Sequence, residues 1–470
     1  MRGYQARPYQ DRMTQAILEK NVFLAAPPGL GKTSASLAAL DALLGWGRRK
    51  ALVVAPKVVA CDTWPNEIEK WSFSPPYRVW KAEDFDFGVS EVIIEGVSVG
   101  RKLRPRDKDA LREEILSDPA PLHIVSRDNF YNFVLALGKA WPYGTLVLDE
   151  SYSFSDITSG RFRAVKAVRP YTDRIVLLNG TPVGNGLEKL WAQMLLVDGG
   201  AALGRAKGAF LRNYMTPTST DRDNPLKVYS WGPKLDAVER VVAACRGSLI
   251  TMLEKDWLNL PPFVVMPVGV EIPMEDYRRM ERESLLELGP EAYAVAVNAG
   301  VLYNKLSQIA CGVCYDTEQD WHEVHRVKID ALLDIAEEHT GPLLIWTSFQ
   351  PDAERIKKAL PGARLAREVK NLEKEWNAGR IQYLIAHPES LSFGANLQDC
   401  PGSGMVWFGV TGNHVHWTQG IKRLFRGGRR EPVPCYVIYA KGTVEEDKMR
   451  SRADRGVVED AVMEGLAHGV

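Results

Sequence analysis

Short apolar runs alternate with longer mixed segments along the chain. In the first half, such runs are NVFLAA from Asn21, KALVVAP from Lys50, TLVL from Thr145 and IVLL from Ile175. Apolar runs of about 4–8 residues with polar or glycine flanks are typical of strands buried in a parallel sheet. In the second half, GPLLIWTSF, QYLIAH, GMVWFGV and PCYVIYA predict further strands. Helical segments lie between the runs, so the pattern predicts an α/β protein.

The first strand leads into the segment LAAPPGLGKT, Leu24 to Thr33, which is followed by the helical run KTSASLAALDALL. A glycine loop between a strand and a helix aims free backbone N–H groups at a phosphate. Ala26 stands where this loop usually has its first glycine. The pattern predicts that Lys32 contacts the β- and γ-phosphates and that Thr33 binds Mg²⁺. The alternative is a tight glycine turn with a surface lysine.

An acidic pair, Asp149 and Glu150, follows the run GTLVL. A carboxylate at the end of a neighbouring strand can hold Mg²⁺ through water, and a second can orient or deprotonate the attacking water. We assign the first role to Asp149 and the second to Glu150; a simple strand-end turn is the alternative. The run RIVLLNGTP ends in Asn179 to Pro182, which by itself indicates a turn.

Composition and charge add few constraints. The 470 residues suffice for two or three domains, and 45% hydrophobic and 25% charged residues are ordinary for a globular protein. The 59 basic and 59 acidic residues cancel, which gives no overall signature for nucleic acid but permits a local basic groove. We find neither a signal segment nor an apolar run of about 18 residues, so we expect a cytoplasmic protein without a membrane span.

The six cysteines are scattered, which favours reduced thiols over a disulfide framework. Cys311, Cys314, His322 and His325 have the side chains of a tetrahedral zinc site. Only seven residues separate the two pairs, however, and the stretch LSQIACGVC has a helical, apolar pattern. We therefore expect these cysteines to pack as small apolar side chains, with zinc binding as the alternative.

The motifs occur in an order that resembles superfamily-two helicases, and among them the Swi/Snf-like translocases on double-stranded DNA. That family has an Ala-x-x-Gly-x-Gly-Lys-Thr loop, which Ala26 fits. The other segments that carry the resemblance, from residue 7 to 450, are RPYQ, LVVAPKVVACDTWPNEIEKW, HIVSRDNF, LVLDE, LNGTPVGNGLEKLWAQM, YNKLSQIACGVCYD, RVKIDALLDIAEEHTGPLLIWTSFQ, HPESLSFGANLQDC, HWTQGIKRLFRGGRR and KGTVEEDKMR. The chain length is similar to that of the small phage-encoded members.

Three positions depart from the family pattern. Tyr152 stands where histidine is usual, and Asn179 stands where threonine is usual. After Arg426 the sequence is Gly-Gly-Arg-Arg, where the family usually has a glycine-glutamine pair. Tyr152 can still form a hydrogen bond, so we expect this change to alter the coupling between the two halves of the protein and not the chemistry.

The resemblance implies two RecA-like lobes, each a parallel sheet wrapped by helices, with a helical insertion between them. We expect the ATP-binding lobe at 1–198, the insertion at 199–325 and the second lobe at 326–470. Within the insertion, the polar segment MTPTSTDRDNPLK is expected to form an exposed loop.

The resemblance also implies ATP and Mg²⁺ as cofactors and assigns roles to particular residues. Arg423 and Arg426, three apart, would share a helix face with Gln419 and stabilise charge on the γ-phosphoryl group as arginine fingers. The residues expected to couple nucleotide and nucleic acid are Gly180, Thr181, Pro182 and Asn396. The residues expected to bind the nucleotide are Arg7, Gln10, Pro28, Gly29, Leu30, Gly31, Lys32, Thr33 and Gly394.

The function implied is that of an ATP hydrolase that moves along double-stranded DNA, with a motor core that works as a monomer. Two alternatives stay open. The protein could separate strands as a DNA or RNA helicase, or it could be a nucleotide-switched binding module with little motor activity.

Overall fold

The computed structural model describes residues 4–73, 75–85, 90–94, 97–102, 105–220, 224, 228–289, 292–391 and 395–468. For residues 90–94, 97–102, 105–107 and 468 only the backbone is described. The chain forms two compact units. The first comprises Met1–Trp257 and Val458–Val470, and the second comprises Leu258–Val457.

The first unit is built on a parallel sheet. The strands of the first unit are β1 (Val22–Ala25), β2 (Lys50–Ala55), β3 (Tyr77–Trp80), β4 (Ser90–Ile94), β5 (Val97–Lys102), β6 (Leu122–Ser126), β7 (Tyr143–Asp149), β8 (Arg174–Asn179), β9 (Met215–Thr220), β10 (Val228–Pro233) and β11 (Leu249–Thr251). Its helices are α1 (Pro8–Glu19), α2 (Lys32–Gly45), α3 (Trp64–Trp71), α4 (Pro105–Ser117), α5 (Phe130–Leu137), α6 (Gly160–Val168), α7 (Leu187–Asp198), α8 (Lys207–Tyr214) and α9 (Ala237–Cys245).

The strand order of this sheet is β11-β1-β8-β7-β2-β6-β3, and every neighbouring pair is parallel. Every residue of β1 and β7 is buried, because helices cover both faces of the sheet. Since β1, β8 and β7 are adjacent and parallel, the loops that follow them meet at one edge of the sheet. This is the edge at which ligands bind in open α/β sheets.

The second unit also has a parallel sheet, with the order β12-β21-β20-β17-β19-β18. The strands of this unit are β12 (Phe263–Val270), β13 (Leu285–Glu287), β14 (Tyr293–Val295), β15 (Val313–Tyr315), β16 (Trp321–Glu323), β17 (Leu343–Trp346), β18 (Arg364–Leu365), β19 (Tyr383–Ala386), β20 (Gly404–Trp407) and β21 (Val433–Ala440). Its helices are α10 (Met274–Glu283), α11 (Ala299–Cys311), α12 (Val327–Glu338), α13 (Gln350–Ala359), α14 (Leu372–Asn377), α15 (Pro388–Leu391), α16 (His414–Ile421) and the start of α17 (Val444–His468).

The last part of α17 belongs to the core of the first unit. Val462 is fully buried and Met463 is 6% exposed there. The hydroxyl of Thr251, at the end of β11, donates to the carbonyl of Met463 at 3.3 Å. Among the described helices, none combines the length and the apolar character that crossing a membrane requires.

The predicted α/β fold with two helix-wrapped parallel sheets is confirmed, and the strands predicted from the apolar runs are present. The expected insertion at 199–325 is shared between the units: 199–257 lies in the first and 258–325 in the second. Its status as a separate domain, and the boundaries of 1–198 and 326–470, stay predictions. One local expectation is wrong in part. The first six residues of MTPTSTDRDNPLK are exposed after Met215 as expected, but they form strand β9, which pairs antiparallel with β10, because threonine favours strands despite the polar composition. Apart from Asn224, the rest of that segment lies outside the described residues.

Candidate nucleotide site

The loop between β1 and α2 has the backbone shape of a phosphate cradle. Gly29 and Gly31 have φ angles of 96° and 74°, which residues other than glycine rarely adopt. Lys32 is the first residue of α2, and its Nζ donates to the carbonyl of Ala26 at 2.5 Å. The lysine therefore folds back over the loop, where the helix N-terminus favours an anion.

The RPYQ segment lies against this loop. The Nε2 of Gln10 donates to the carbonyl of Leu30 at 3.5 Å, and its Oε1 accepts from the backbone N–H of Arg7 at 2.9 Å. A Cβ on Gly31 would approach Gln10 Nε2 to 2.1 Å, so a side chain there would displace the glutamine amide as well as strain the backbone at φ 74°. The structure thus brings Gln10 to the loop from 20 residues earlier in the chain, and Arg7 is linked to Gln10 through its backbone N–H.

The acidic pair lies at the carboxyl end of β7, where Asp149 is the last residue of the strand and Glu150 follows it. Asp149 is only 6% exposed; its Oδ2 accepts from the indole N–H of Trp64 at 2.9 Å and its Oδ1 from the backbone N–H of Glu150 at 3.0 Å. Burial raises the pKa of the Asp149 carboxyl, while the Trp64 hydrogen bond and the charge of Lys32 oppose that rise.

Glu150 has a φ angle of 50°, an uncommon backbone conformation for a residue other than glycine. β7 ends immediately before this residue, and the N–H of Glu150 donates to Asp149 Oδ1. Backbone strain of this kind concentrates at functional sites. Glu150 is half-buried and directly follows β7; its role toward the attacking water stays a prediction.

A buried polar network links the loops that follow β7 and β8. The amide of Asn179 donates to the carbonyl of Thr181 at 3.2 Å and to Gln193 Oε1 at 3.4 Å, and its own oxygen accepts from the N–H of Gly180 at 2.7 Å. The hydroxyl of Ser151 donates to the same Gln193 oxygen at 2.8 Å. Asn179, which departs from the family pattern, therefore shapes the turn through its amide. Gln193 was missed by the sequence analysis.

The loops that follow β1, β7 and β8 also contact one another. The N–H of Ala26 donates to the carbonyl of Asn179 at 3.0 Å, and a Cβ on Gly180 would lie 3.2 Å from Pro28. The carbonyl of Pro182 accepts from Gln193 at 2.9 Å. Tyr152 accepts a hydrogen bond from Asn185 at 2.8 Å, so the second unusual residue also connects the two loops.

In the second unit, the predicted arginine fingers do not lie on a helix. Helix α16 ends at Ile421 and contains Gln419, whereas Arg423 and Arg426 lie in the following turns. The helix ends before both arginines, and their side chains bond to the segment around Asn396 instead, which corrects the predicted shared helix face. The arginines nevertheless converge: Arg423 donates to the carbonyl of Ala395 at 3.1 Å and Arg426 to Asn396 Oδ1 at 2.6 Å. Gly394 lies outside the described residues.

Arg429, at the third unusual position, is a buried clamp that the sequence analysis did not assign. It is 5% exposed. Its guanidinium donates to the carbonyls of Gln398, Cys400, Ser403 and Glu431 and to the Ser403 hydroxyl. It therefore ties the segment after Asn396 to the turn that carries the two arginines.

The possible zinc ligands are engaged elsewhere. His322 bonds to Asp316 at 2.8 Å and His325 to the carbonyl of Ile309 at 2.9 Å. Cys311 and Cys314 are buried, and burial raises the pKa of the Cys314 thiol to about 11. In the described part of the chain, no cluster of three or more His, Cys, Asp or Glu side chains could hold a metal ion.

The first unit nevertheless offers the ligands of a substrate-bound Mg²⁺. Such an ion typically takes one or two protein oxygens, with the rest from phosphates and water. Thr33 supplies a hydroxyl in the first turn of α2, and the Asp149 carboxylate is held in place by one donor on each oxygen. This pair of hard oxygen ligands fits Mg²⁺, and Thr33 and Asp149 would hold it.

Comparison with known proteins agrees with the motif order. No protein-family model matches the chain. Protein p41 of Acyrthosiphon pisum secondary endosymbiont phage 1 is 32% identical over 99% of each chain. A DNA repair and recombination protein RAD54-like of Gallus gallus is 28% identical over 42% of this chain, and the match spans about a quarter of that longer protein.

Among solved structures, the Sulfolobus solfataricus SWI2/SNF2 ATPase core in complex with dsDNA is similar at 17% identity. The match covers 98% of this chain and 94% of that chain, with a TM-score of 0.43. At that score the likeness adds nothing to the fold established by the two sheets. The whole-length match to p41 and the ordered motifs are decisive: the chain belongs to the family of p41, and it is a Swi/Snf-like protein of superfamily two.

Proposed function

We propose that the protein hydrolyses ATP at the sheet edge of its first unit and uses the energy to move along double-stranded DNA. The observation that carries this proposal is the meeting of three loops on adjacent parallel strands. These loops present the glycine cradle with Lys32, the Asp149–Glu150 pair and the Asn179 turn. Membership of the Swi/Snf-like proteins supports the coupling to DNA.

Each side chain at this edge has a distinct task in the proposal. The N–H groups of the loop and Lys32 bind and orient the phosphates, and Gln10 recognises the adenine with the help of Arg7. Mg²⁺, when bound, neutralises charge on the β- and γ-phosphate oxygens. Glu150 orients the attacking water and accepts its proton.

Arg423 and Arg426 are proposed to stabilise the charge that develops on the γ-phosphoryl group, with Gln419 supporting them. Arg426→Ala should lower ATP turnover by about 10³-fold, the lower bound of the effect of an arginine finger. ATP binding should be retained in this variant. Normal turnover in the Arg426→Ala protein would refute the assignment.

The Asn396–Arg426 bond supports the proposed coupling between DNA and nucleotide, because it joins a candidate coupling residue to a candidate finger. Gly180, Thr181 and Pro182 are proposed to do the same in the first unit through the buried Asn179 network. DNA contacts would be mainly to phosphates, which is compatible with a chain of zero net charge. We propose a monomeric motor core that works in the cytoplasm of the phage-infected cell.

The proposal is tested by ATPase rates without nucleic acid and with single-stranded DNA, duplex DNA or RNA. Stimulation by duplex DNA alone supports a double-stranded DNA translocase. Stimulation by a single strand or RNA would favour the helicase alternative, and equal rates in all four conditions would contradict any motor. Displacement of a triplex-forming strand without duplex unwinding would separate translocation from strand separation.

A further inference from the structure

We propose that Trp64 is a positioning residue for the metal-binding carboxylate. Its indole N–H would fix the orientation in which Asp149 meets Mg²⁺-bound ATP. The inference rests on the proposed function, since it concerns the same nucleotide site. Trp64 lies in the segment LVVAPKVVACDTWPNEIEKW, whose pattern alone gives it no separate role.

The geometry places a single donor against a single acceptor inside the protein. Trp64 is fully buried and Asp149 is 6% exposed, and the indole Nε1 lies 2.9 Å from Asp149 Oδ2. An indole N–H only donates, and a buried carboxylate only accepts when ionised. Each group therefore satisfies the other where water has little access, and such charge-assisted bonds are stronger than neutral ones.

The backbone before Trp64 is built to deliver this contact. Residues Val59–Thr63 form a π-helical turn, and the N–H of Trp64 donates to the carbonyl of Val59, five residues earlier. Each residue of an α-helix advances by about 100° around the axis. The wider turn therefore changes which side chain faces β7, and Trp64 takes that place. Single π turns of this kind occur often at functional sites.

Two donors are needed to fix the carboxylate. The N–H of Glu150 holds Oδ1 at 3.0 Å, and Trp64 holds Oδ2. With only one donor the carboxylate could rotate about its terminal torsion, which is broad for aspartate. Groups that orient a metal ligand typically change metal affinity by about 10–100-fold when removed. The expected loss is therefore specific to the metal-dependent part of nucleotide binding.

The test is Trp64→Phe, with Trp80→Phe as the matched control. Trp80 is also fully buried in the first unit, but its Nε1 has no hydrogen-bond partner among the described residues. Both variants lose an indole, and only the first loses a bond to Asp149. The readout is equilibrium binding of a fluorescent N-methylanthraniloyl-ATP to the full chain, with Mg²⁺ and with EDTA.

Trp64→Phe should weaken binding by about 10–100-fold in Mg²⁺ and leave binding in EDTA unchanged, while Trp80→Phe changes neither. Equal Mg²⁺ dependence in the two variants would overturn the inference, as would an equal loss in EDTA. If Trp64→Phe does not fold, benzothienylalanine at position 64 keeps the ring size and replaces the N–H by sulfur; unchanged Mg²⁺-dependent binding in that protein would overturn the inference. If the unmodified protein binds no nucleotide, the proposed function fails instead.

Discussion

Two lysines at the starts of helices show how the same side chain serves different ends in the two units. Lys32 begins α2 and Lys328 is the second residue of α12. A cation is unfavourable at a helix N-terminus, because that end of the helix dipole is positive. Lys328 is fully buried, and both oxygens of Glu445 accept from it at 2.7 Å. Lys32 is half-buried and donates to a backbone carbonyl in a loop open to an anion.

The difference separates a cation that is paired within the protein from a cation that we propose binds phosphate. The carbonyls of Phe408 and Ile438 complete the bonds of Lys328, and the N–H of Ala440 donates to Glu445. Every partner of this lysine is thus supplied by the protein itself. The first unit instead presents its lysine where a phosphate can supply the negative charge. The comparison predicts that loss of Lys328 damages folding, whereas loss of Lys32 damages activity.

The largest expected effect on stability follows from Lys328→Met. This change leaves the Glu445 carboxylate buried without its cation, which typically costs about 3–5 kcal/mol of unfolding free energy. Urea unfolding of the full chain measures the loss. Lys357→Met is the control, since Lys357 forms an exposed pair with Glu368 and should change stability by about 0–1 kcal/mol. Equal effects of the two changes would contradict the structural role of Lys328.

A smaller loss of stability is expected from Arg429→Lys. This change tests whether carbonyl oxygens, in place of a carboxylate, hold a buried cation. Lysine keeps the charge but lacks the planar fork, so it leaves carbonyl oxygens of the clamp unpaired. Each unpaired buried group costs about 1–3 kcal/mol. Arg430→Lys, at the exposed neighbouring position, should leave the urea midpoint unchanged. A stable Arg429→Lys protein would show that the clamp is dispensable.

The change that is smallest in any single pH unit concerns Glu459, a buried carboxyl of the first unit that accepts from the N–H of Gly184 at 2.7 Å. Burial raises the pKa of Glu459 to about 8, from 4.5 in an unfolded chain. Between these values the folded state binds the extra proton, so this residue lowers the free energy of unfolding as pH rises, by at most about 1.4 kcal/mol per pH unit. Glu459→Gln should remove this slope in urea unfolding between pH 5 and 8. Parallel curves for the two proteins would contradict the assignment.

The fold was largely predictable from the sequence, because strands buried on both faces must be apolar along their whole length. The runs that begin at Asn21, Lys50, Thr145 and Ile175 therefore became β1, β2, β7 and β8. Strand β9 was missed because its threonine, proline and serine residues are exposed and give no burial pattern. The helix expected to carry Arg423 and Arg426 ended at Ile421, where tertiary contacts of the arginines replaced helical ones.

The site was predictable only where a local pattern encodes it. The residues of the glycine loop are contiguous in sequence, and so are Asp149 and Glu150. Each of the two motifs can therefore be read from a short pattern. Trp64 and Asp149 are 85 residues apart, and Lys328 and Glu445 are 117 apart. No short pattern reports such pairings, since they depend on how the sheet and its helices pack. The positioning groups therefore emerged only from the structure.

The most direct test of the account is the ATP turnover of Lys32→Ala in the presence of duplex DNA. Because the proposal assigns this lysine to the substrate and not to the fold, the variant should keep the urea midpoint of the unmodified protein. Its turnover should fall by about 10²–10³-fold, as for removal of one preorganised donor to a developing charge. Turnover equal to that of the unmodified protein would contradict the claim that ATP is hydrolysed at the sheet edge of the first unit.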